Sequence, residues 1–179
     1  MKPLRARYAR IERRALELLR RADSDHPPVD VLKIASLAGA SVHFESFDDD
    51  VSGVLIRNEH GTAIGVNKAH ASVRQRFTIA HELGHLLLHD GVPIRVDKNF
   101  RVNWRKGGAA NAPDIEEIEA NFFAASLLMP KSMLTNATRL DHFDVEDDVE
   151  IVRLARLFKV STQAMTFRLG EMFRSAAFG

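Results

Sequence analysis

Apolar residues near the start of the chain recur at steps of three and four: Leu4, Tyr8, Ile11, Ala15 and Leu18. That period predicts an amphipathic helix over residues 4–21, punctuated by Asp23-Ser24-Asp25 and Pro27-Pro28. A short helix is expected over 30–38, with Gly39 as its stop. The period then changes to two. Val42 and Phe44 alternate with polar neighbours, and two β-type runs, 53–57 and 62–67, flank Asn58-Glu59-His60-Gly61, a hairpin loop. Residues 72–89 return to helix. Their apolar members, Phe77, Ile79, Ala80, Leu83 and Leu86-Leu87-Leu88, lie nearly all round it, as in a buried helix. Residues 90–112, with Gly91, Pro93 and Gly107-Gly108-Ala109-Ala110, read as a long connection that could gate a site. A second helix is expected from Pro113, acidic in its first turn, to Met129 before Pro130. The last third is helical: Ile151, Leu154, Ala155 and Phe158 form one stripe, and Ser161 caps a final helix to about Arg174. Helices kept apart from one small antiparallel β region predict an α+β fold.

Composition narrows the class. A chain of 179 residues, 45% of them hydrophobic, fits one domain with one core. We divide it into an N-terminal helix (1–27), a core (28–135) and a helical C-terminal part (136–179). The net charge of +1 favours neither a nucleic-acid coat nor an acidic tail. Charge is uneven: residues 1–21 carry eight Lys/Arg against two Glu, and 141–150 carry six acids and no Lys/Arg. Both runs read as solvated surface. With no cysteine, disulfides and thiolate metal sites are excluded, so any zinc must use His and carboxylate. No apolar run reaches membrane-spanning length, and the basic start MKPLRARYARIERR lacks the apolar stretch of a secretory signal. The expected location is cytoplasmic.

The buried helix holds polar residues that need partners. Its sequence His81-Glu82-Leu83-Gly84-His85 reads H-E-x-x-H. Histidines four apart share a helix face, so both imidazoles reach one ion, while Glu82 projects to the side as a general base. By composition such a pentapeptide arises in roughly 2% of shuffles, so its context must add weight.

A catalytic zinc takes three protein ligands. His89 continues the four-residue series, but at 1.5 Å rise per residue it lies about 12 Å from His81 along a straight helix. It reads as a helix-end residue or an outer-shell donor. The downstream helix offers Glu116, Glu117 and Glu119. Glu117 ranks first, then Glu119, then Glu116. Glu117 has Asn121 one turn on, where an amide can bond the second nitrogen of a ligating His and fix its tautomer. Ala124 and Ala125 suit close helix approach. The solvated-helix alternative for these acids stays open. An edge of the 53–67 hairpin is the candidate substrate strand. His60, His70 and His142 read as surface histidines, and no oxyanion donor is assigned.

RQRFTIAHELGHLLLH (74–89) and EIEANFFAASLLMP (117–130), with SGVLIRNEHGTAIGVN (52–67) and PVDVLKIASLAGASV (28–42), resemble the ImmA/IrrE family of zincin-like metallopeptidases. VEIVRLARLFKVSTQAMTFRL is similar to that family's ending. The resemblance implies a zincin-like domain and a zinc-dependent endopeptidase, with manganese or iron as other metals. It implies His81, His85 and Glu117 as ligands and Glu82 as base. It also implies a helix-turn-helix (XRE-type) repressor as substrate, whose cleavage derepresses stress-response or mobile-element genes. Residues 1–27 are too short for a fused DNA-binding domain, so the repressor is expected to be a separate chain. Two alternatives remain: a protein that sequesters a repressor without cutting it, and a DNA-binding module built on the C-terminal helices.

Overall fold

The computed structural model describes residues 6–98, 112–138 and 148–177. Among them are seven helices, four strands and one sheet. Leu4, the Gly107-Gly108-Ala109-Ala110 stretch, His142 and most of the 141–150 acidic run lie outside the described residues. Helix α1 spans Tyr8–Arg21 and buries Ile11, Ala15 and Leu18 of the expected stripe together with Leu19, while Tyr8 is exposed. Helix α2 (Val31–Leu37) starts where the Asp30 carboxylate accepts from the backbone N–H groups of Leu32 and Lys33. The chain leaves it through Gly39 at φ +82°, a conformation that favours glycine.

Strands β1 (Ala40–Glu45), β2 (Val51–Asn58), β3 (Gly61–Asn67) and β4 (Ile94–Lys98) form a mixed sheet in the order β1-β3-β2-β4. β1 runs parallel to β3, while β2 is antiparallel to both β3 and β4. The β2–β3 hairpin turns at Glu59–His60, where Asn58 Oδ1 accepts from the His60 N–H at 2.9 Å. Leu55 and Ile64 pair across it and fill the core. Three expectations change here. The sheet expected to be antiparallel is mixed, because β1 reaches β3 from α2 and runs parallel to it. Phe44 is 43% exposed, because β1 is an edge strand whose outer half is not covered. The 90–112 connection is not all loop, since it contains β4.

Helix α3 (Ser72–Leu88) lies between the sheet and α4 (Ala112–Leu128), and α1 covers α4 from another side. That central place explains why α3 is apolar nearly all round. Gly84 lies against Ala120 where α3 packs on α4. A Cβ there would lie 2.9 Å from Ala120 Cα and 3.1 Å from its carbonyl oxygen. Ala124 and Ala125, expected at a close helix approach, are both fully buried. α5 (Lys131–Ala137), α6 (Asp148–Phe158) and α7 (Thr162–Ala177) complete the chain. Ile151, Leu154, Ala155 and Phe158 are buried, and Ser161 Oγ accepts from the Ala164 N–H at 3.1 Å. Among the described residues no helix is long and apolar enough to cross a membrane.

Candidate metal centre

His81, Glu82 and His85 are all buried on α3. One helical turn separates the two histidines, so their rings meet edge to face with centroids 4.6 Å apart and Nε2 atoms 3.0 Å apart. Glu117, near the start of α4, faces the pair. Its Oε2 lies 3.4 Å from His81 Nε2 and its Oε1 3.4 Å from His85 Nε2. The packing of Gly84 on Ala120 sets this spacing, by drawing the two helices close beside the histidines.

The outward nitrogens are engaged. Asn121 Oδ1 lies 3.0 Å from His81 Nδ1, the arrangement expected from the Glu-x-x-x-Asn spacing. His85 Nδ1 lies 3.1 Å from Nδ1 of His89, the residue that ends α3 in an extended conformation. His89 Nε2 in turn lies 3.1 Å from Glu119 Oε2. Glu119 also accepts from the Arg7 backbone N–H at 2.8 Å and from its guanidinium at 2.7 and 3.0 Å. The proton order follows from the carboxylate end. Glu119 only accepts, so His89 donates from Nε2 and its Nδ1 receives the His85 Nδ1–H. Burial lowers the pKa of His89, which keeps it neutral and able to play that part. Glu119 is thus occupied as an anchor for His89 and Arg7, and Glu116 lies 3.9 Å from Arg95. Of the three acids, the structure brings only Glu117 to both histidines.

Two residues enter that the sequence did not signal. Asp97 on β4 places Oδ2 2.9 Å from His81 Nε2. Arg95, two residues earlier on the same face, donates from Nε to Asp97 Oδ1 at 3.2 Å and pairs closely with Glu117. His81, His85, Asp97 and Glu117 form a group whose donor atoms all lie within 4.8 Å of one another. Neither Arg95 nor Asp97 belongs to a recognisable spacing, because only the β2–β4 pairing brings them to α3.

Charge and burial set the proton affinities. Burial pulls His81 down, but the carboxylates of Asp97, Glu117 and Glu82 overcome it and raise its pKa to about 10. His85 goes the other way, to about 4, through burial first and then its proximity to His81 and Arg95. Burial would raise Glu117, yet both histidines hold it well below the ordinary carboxylate range. Burial also opposes ionisation of Asp97, but His81 draws its pKa down to about 2. Glu82 is raised well above the usual value, by burial and then by repulsion from Asp97. Neither oxygen of Glu82 has a hydrogen-bond partner among the described residues.

These residues fit a metal ion. With both Nδ1 atoms directed to acceptors, two Nε2 lone pairs confront each other at 3.0 Å in a buried place. Only a proton or a cation between them relieves that conflict. Nitrogen and oxygen donors at these separations match ligands around one ion. Bonds near 2.0–2.1 Å set donor–donor edges of about 3.3 Å in a tetrahedron.

The candidate substrate edge requires correction. The 53–67 hairpin has no free edge, since β1 covers β3 and β4 covers β2. His60 is exposed in the hairpin turn, outside the metal-ligand group.

Comparison with known proteins gives two matches. The IrrE N-terminal-like domain of the Peptidase_M78 family matches residues 35–170. The "Phage-like element PBSX protein XkdA" of Bacillus subtilis (strain 168) is 28% identical over 106 residues, 59% of this chain and 46% of that protein. The chain thus spans about half the length of this curated relative.

Proposed function

The chain belongs to the Peptidase_M78 family of IrrE N-terminal-like domains, and from that premise we propose that it is a zinc-dependent endopeptidase that cleaves a helix-turn-helix repressor of the XRE type. The observation that carries this reading is the convergence of His81, His85 and Glu117 beside the buried, unpartnered carboxyl of Glu82. The two Nε2 atoms and the Glu117 carboxylate would hold the ion. Manganese or iron also suits such a donor set. A bound zinc would supply Lewis acidity towards a peptide carbonyl and lower the pKa of a water.

The remaining work falls to this chain's own residues. Glu82 accepts a proton from the attacking water on a carboxylate oxygen and returns it to the leaving amine nitrogen. Its burial, the first cause of its raised pKa, suits a group that must keep a proton between the two transfers. Asn121 and His89 hold the imidazoles in the tautomer that directs Nε2 inward. The relative belongs by name to a phage-like element, which supports a setting among mobile-element genes and their repressors.

The reading that the C-terminal helices bind DNA loses Arg168, one of the two basic residues of 161–179. Arg168 is only 2% exposed and donates from Nε to the Met129 carbonyl at 3.0 Å, so it cannot meet a phosphate.

The test uses purified protein and the XRE-type repressors encoded beside its gene. Expected are about one equivalent of metal per chain and a repressor cut at a defined bond, read by intact mass. Glu82→Gln should retain the metal and lose at least 100-fold in cleavage rate. A metal-free protein, or undiminished cutting by E82Q, overturns the proposal.

A further inference from the structure

Resting on the metal-site reading above, we propose that Asp97 is a fourth, displaceable metal ligand, carried by β4 on the very edge of β2 that a substrate strand would use. Three observations lead there. The first is the donor set. A catalytic centre keeps one position open, whereas four protein donors close it. Asp97 Oδ2 stands 2.9 Å from His81 Nε2, within the span of one ion's ligands. Yet that oxygen makes no aligned hydrogen bond to any described group. With Glu117 Oε2 at 3.4 Å and His85 Nε2 at 3.0 Å from the same His81 Nε2, Asp97 Oδ2 completes a set of four donors that can face a common point.

The second observation is the register. Asp97 pairs with Gly53 across β2–β4, at an irregularity between Val51 and Gly53. A Cβ on Gly53 would lie 2.7 Å from Glu82 Oε1 and 2.6 Å from Thr78 Cγ2. The missing side chain therefore lets the β2–β4 edge lie directly against Glu82. Asp97, paired with Gly53, thus lies on the same side of the centre as Glu82.

The third is the inverted pattern of β4. Ile94 and Val96 are 61% and 48% exposed, while Arg95 and Asp97 turn inward and Asp97 is 9% exposed. An ordinary half-buried strand does the reverse. β4 is thus held by ionic contacts to the centre, Arg95 to Glu117 and Asp97 to His81, and not by apolar burial. Among the described residues it pairs on one side only, over five residues. Such a strand can be replaced on β2 by an extended segment of the substrate, which adds to the sheet in its place.

The experiment loads the full chain with Co2+ and follows visible absorption, with sodium azide as an exogenous ligand. In the wild type, one equivalent of Co2+ should bind and azide should leave the spectrum unchanged. Asp97→Ala should bind Co2+ on the order of 10- to 100-fold more weakly. Its spectrum should shift with azide, and its cleavage rate at saturating metal should rise. Asp97→Asn, which keeps the side-chain shape, carries the same comparison if D97A does not fold. If azide perturbs wild type and variants alike and their Co2+ affinities agree, Asp97 is not a ligand and this proposal falls while the metal site stands. If wild type and His85→Ala both fail to take up Co2+ stoichiometrically, the metal reading falls with it.

Discussion

Each histidine of the pair points one nitrogen inward because its other nitrogen is held from behind. For His81 the holder is Asn121, one turn beyond Glu117 on α4. This part of the centre was readable in the chain, because i, i+4 spacing on a helix is a geometric statement. His81 and His85 share a face for that reason, and Glu117 and Asn121 do too. The same arithmetic kept His89 out of the group that could hold a metal and left it a supporting place, where its Nδ1 lies 3.1 Å from His85 Nδ1. Asp97 could not be read this way, since its neighbours in the centre are 16 or 12 residues earlier and 20 later, on other elements. Asn121→Ala tests the supporting role. It removes the His81 partner and leaves the ligands in place. Metal affinity should fall on the order of 10- to 100-fold, while Asn121→Gln restores part of it. Competition against a chromophoric chelator measures this, and affinities within twofold of wild type would show that the tautomer is fixed by something else.

At the scale of elements, the centre depends on how closely α3 and α4 cross. Gly84 was visible as a member of the H-E-x-x-H pentapeptide, but its contact with Ala120 is a property of the packed pair. Adding one methyl group there brings a Cβ to 2.9 Å from the Ala120 backbone, and a helix backbone cannot rotate away as a side chain can. Overpacking of this kind costs about 1–3 kcal/mol, against which alanine's better helix propensity returns up to about 1 kcal/mol. Gly84→Ala should therefore lower the melting temperature by several degrees, at about 2–4 °C per kcal/mol for a chain of this size. It should also weaken metal binding, since Glu117 moves outward with α4. An unchanged melting temperature and metal affinity would mean that the two helices can separate without disturbing the site. The hairpin shows the opposite limit of sequence reading. Its strands and turn follow from alternation and from Asn58-Glu59-His60-Gly61, but the pairing of β2 with β4 does not. β4 exposes its apolar residues and buries its ionic ones, so periodicity alone assigns it to a loop.

For the whole molecule, the ligand group ties together three elements that apolar contact joins unequally. α3 is embedded between the sheet and α4, whereas β4 reaches the rest of the fold through β2 and its ionic face. Chelation should therefore not loosen the protein evenly. A ligand at 1,000 times its Kd adds about 4 kcal/mol to stability, and EDTA removes that increment. Without the ion, a proton on His81 and the Arg95 guanidinium are the cations that face Asp97 and Glu117. Amide hydrogen exchange should then rise first in β4 and the first turns of α4. It should change little in α6 and α7, which pack on each other and lie outside the ligand group. In D97A, β4 should already exchange fast with metal present, and chelation should add little there. Equal loss of protection in α6, α7 and β4 would instead show that the metal stabilises the fold as a single unit, with no strand poised to leave.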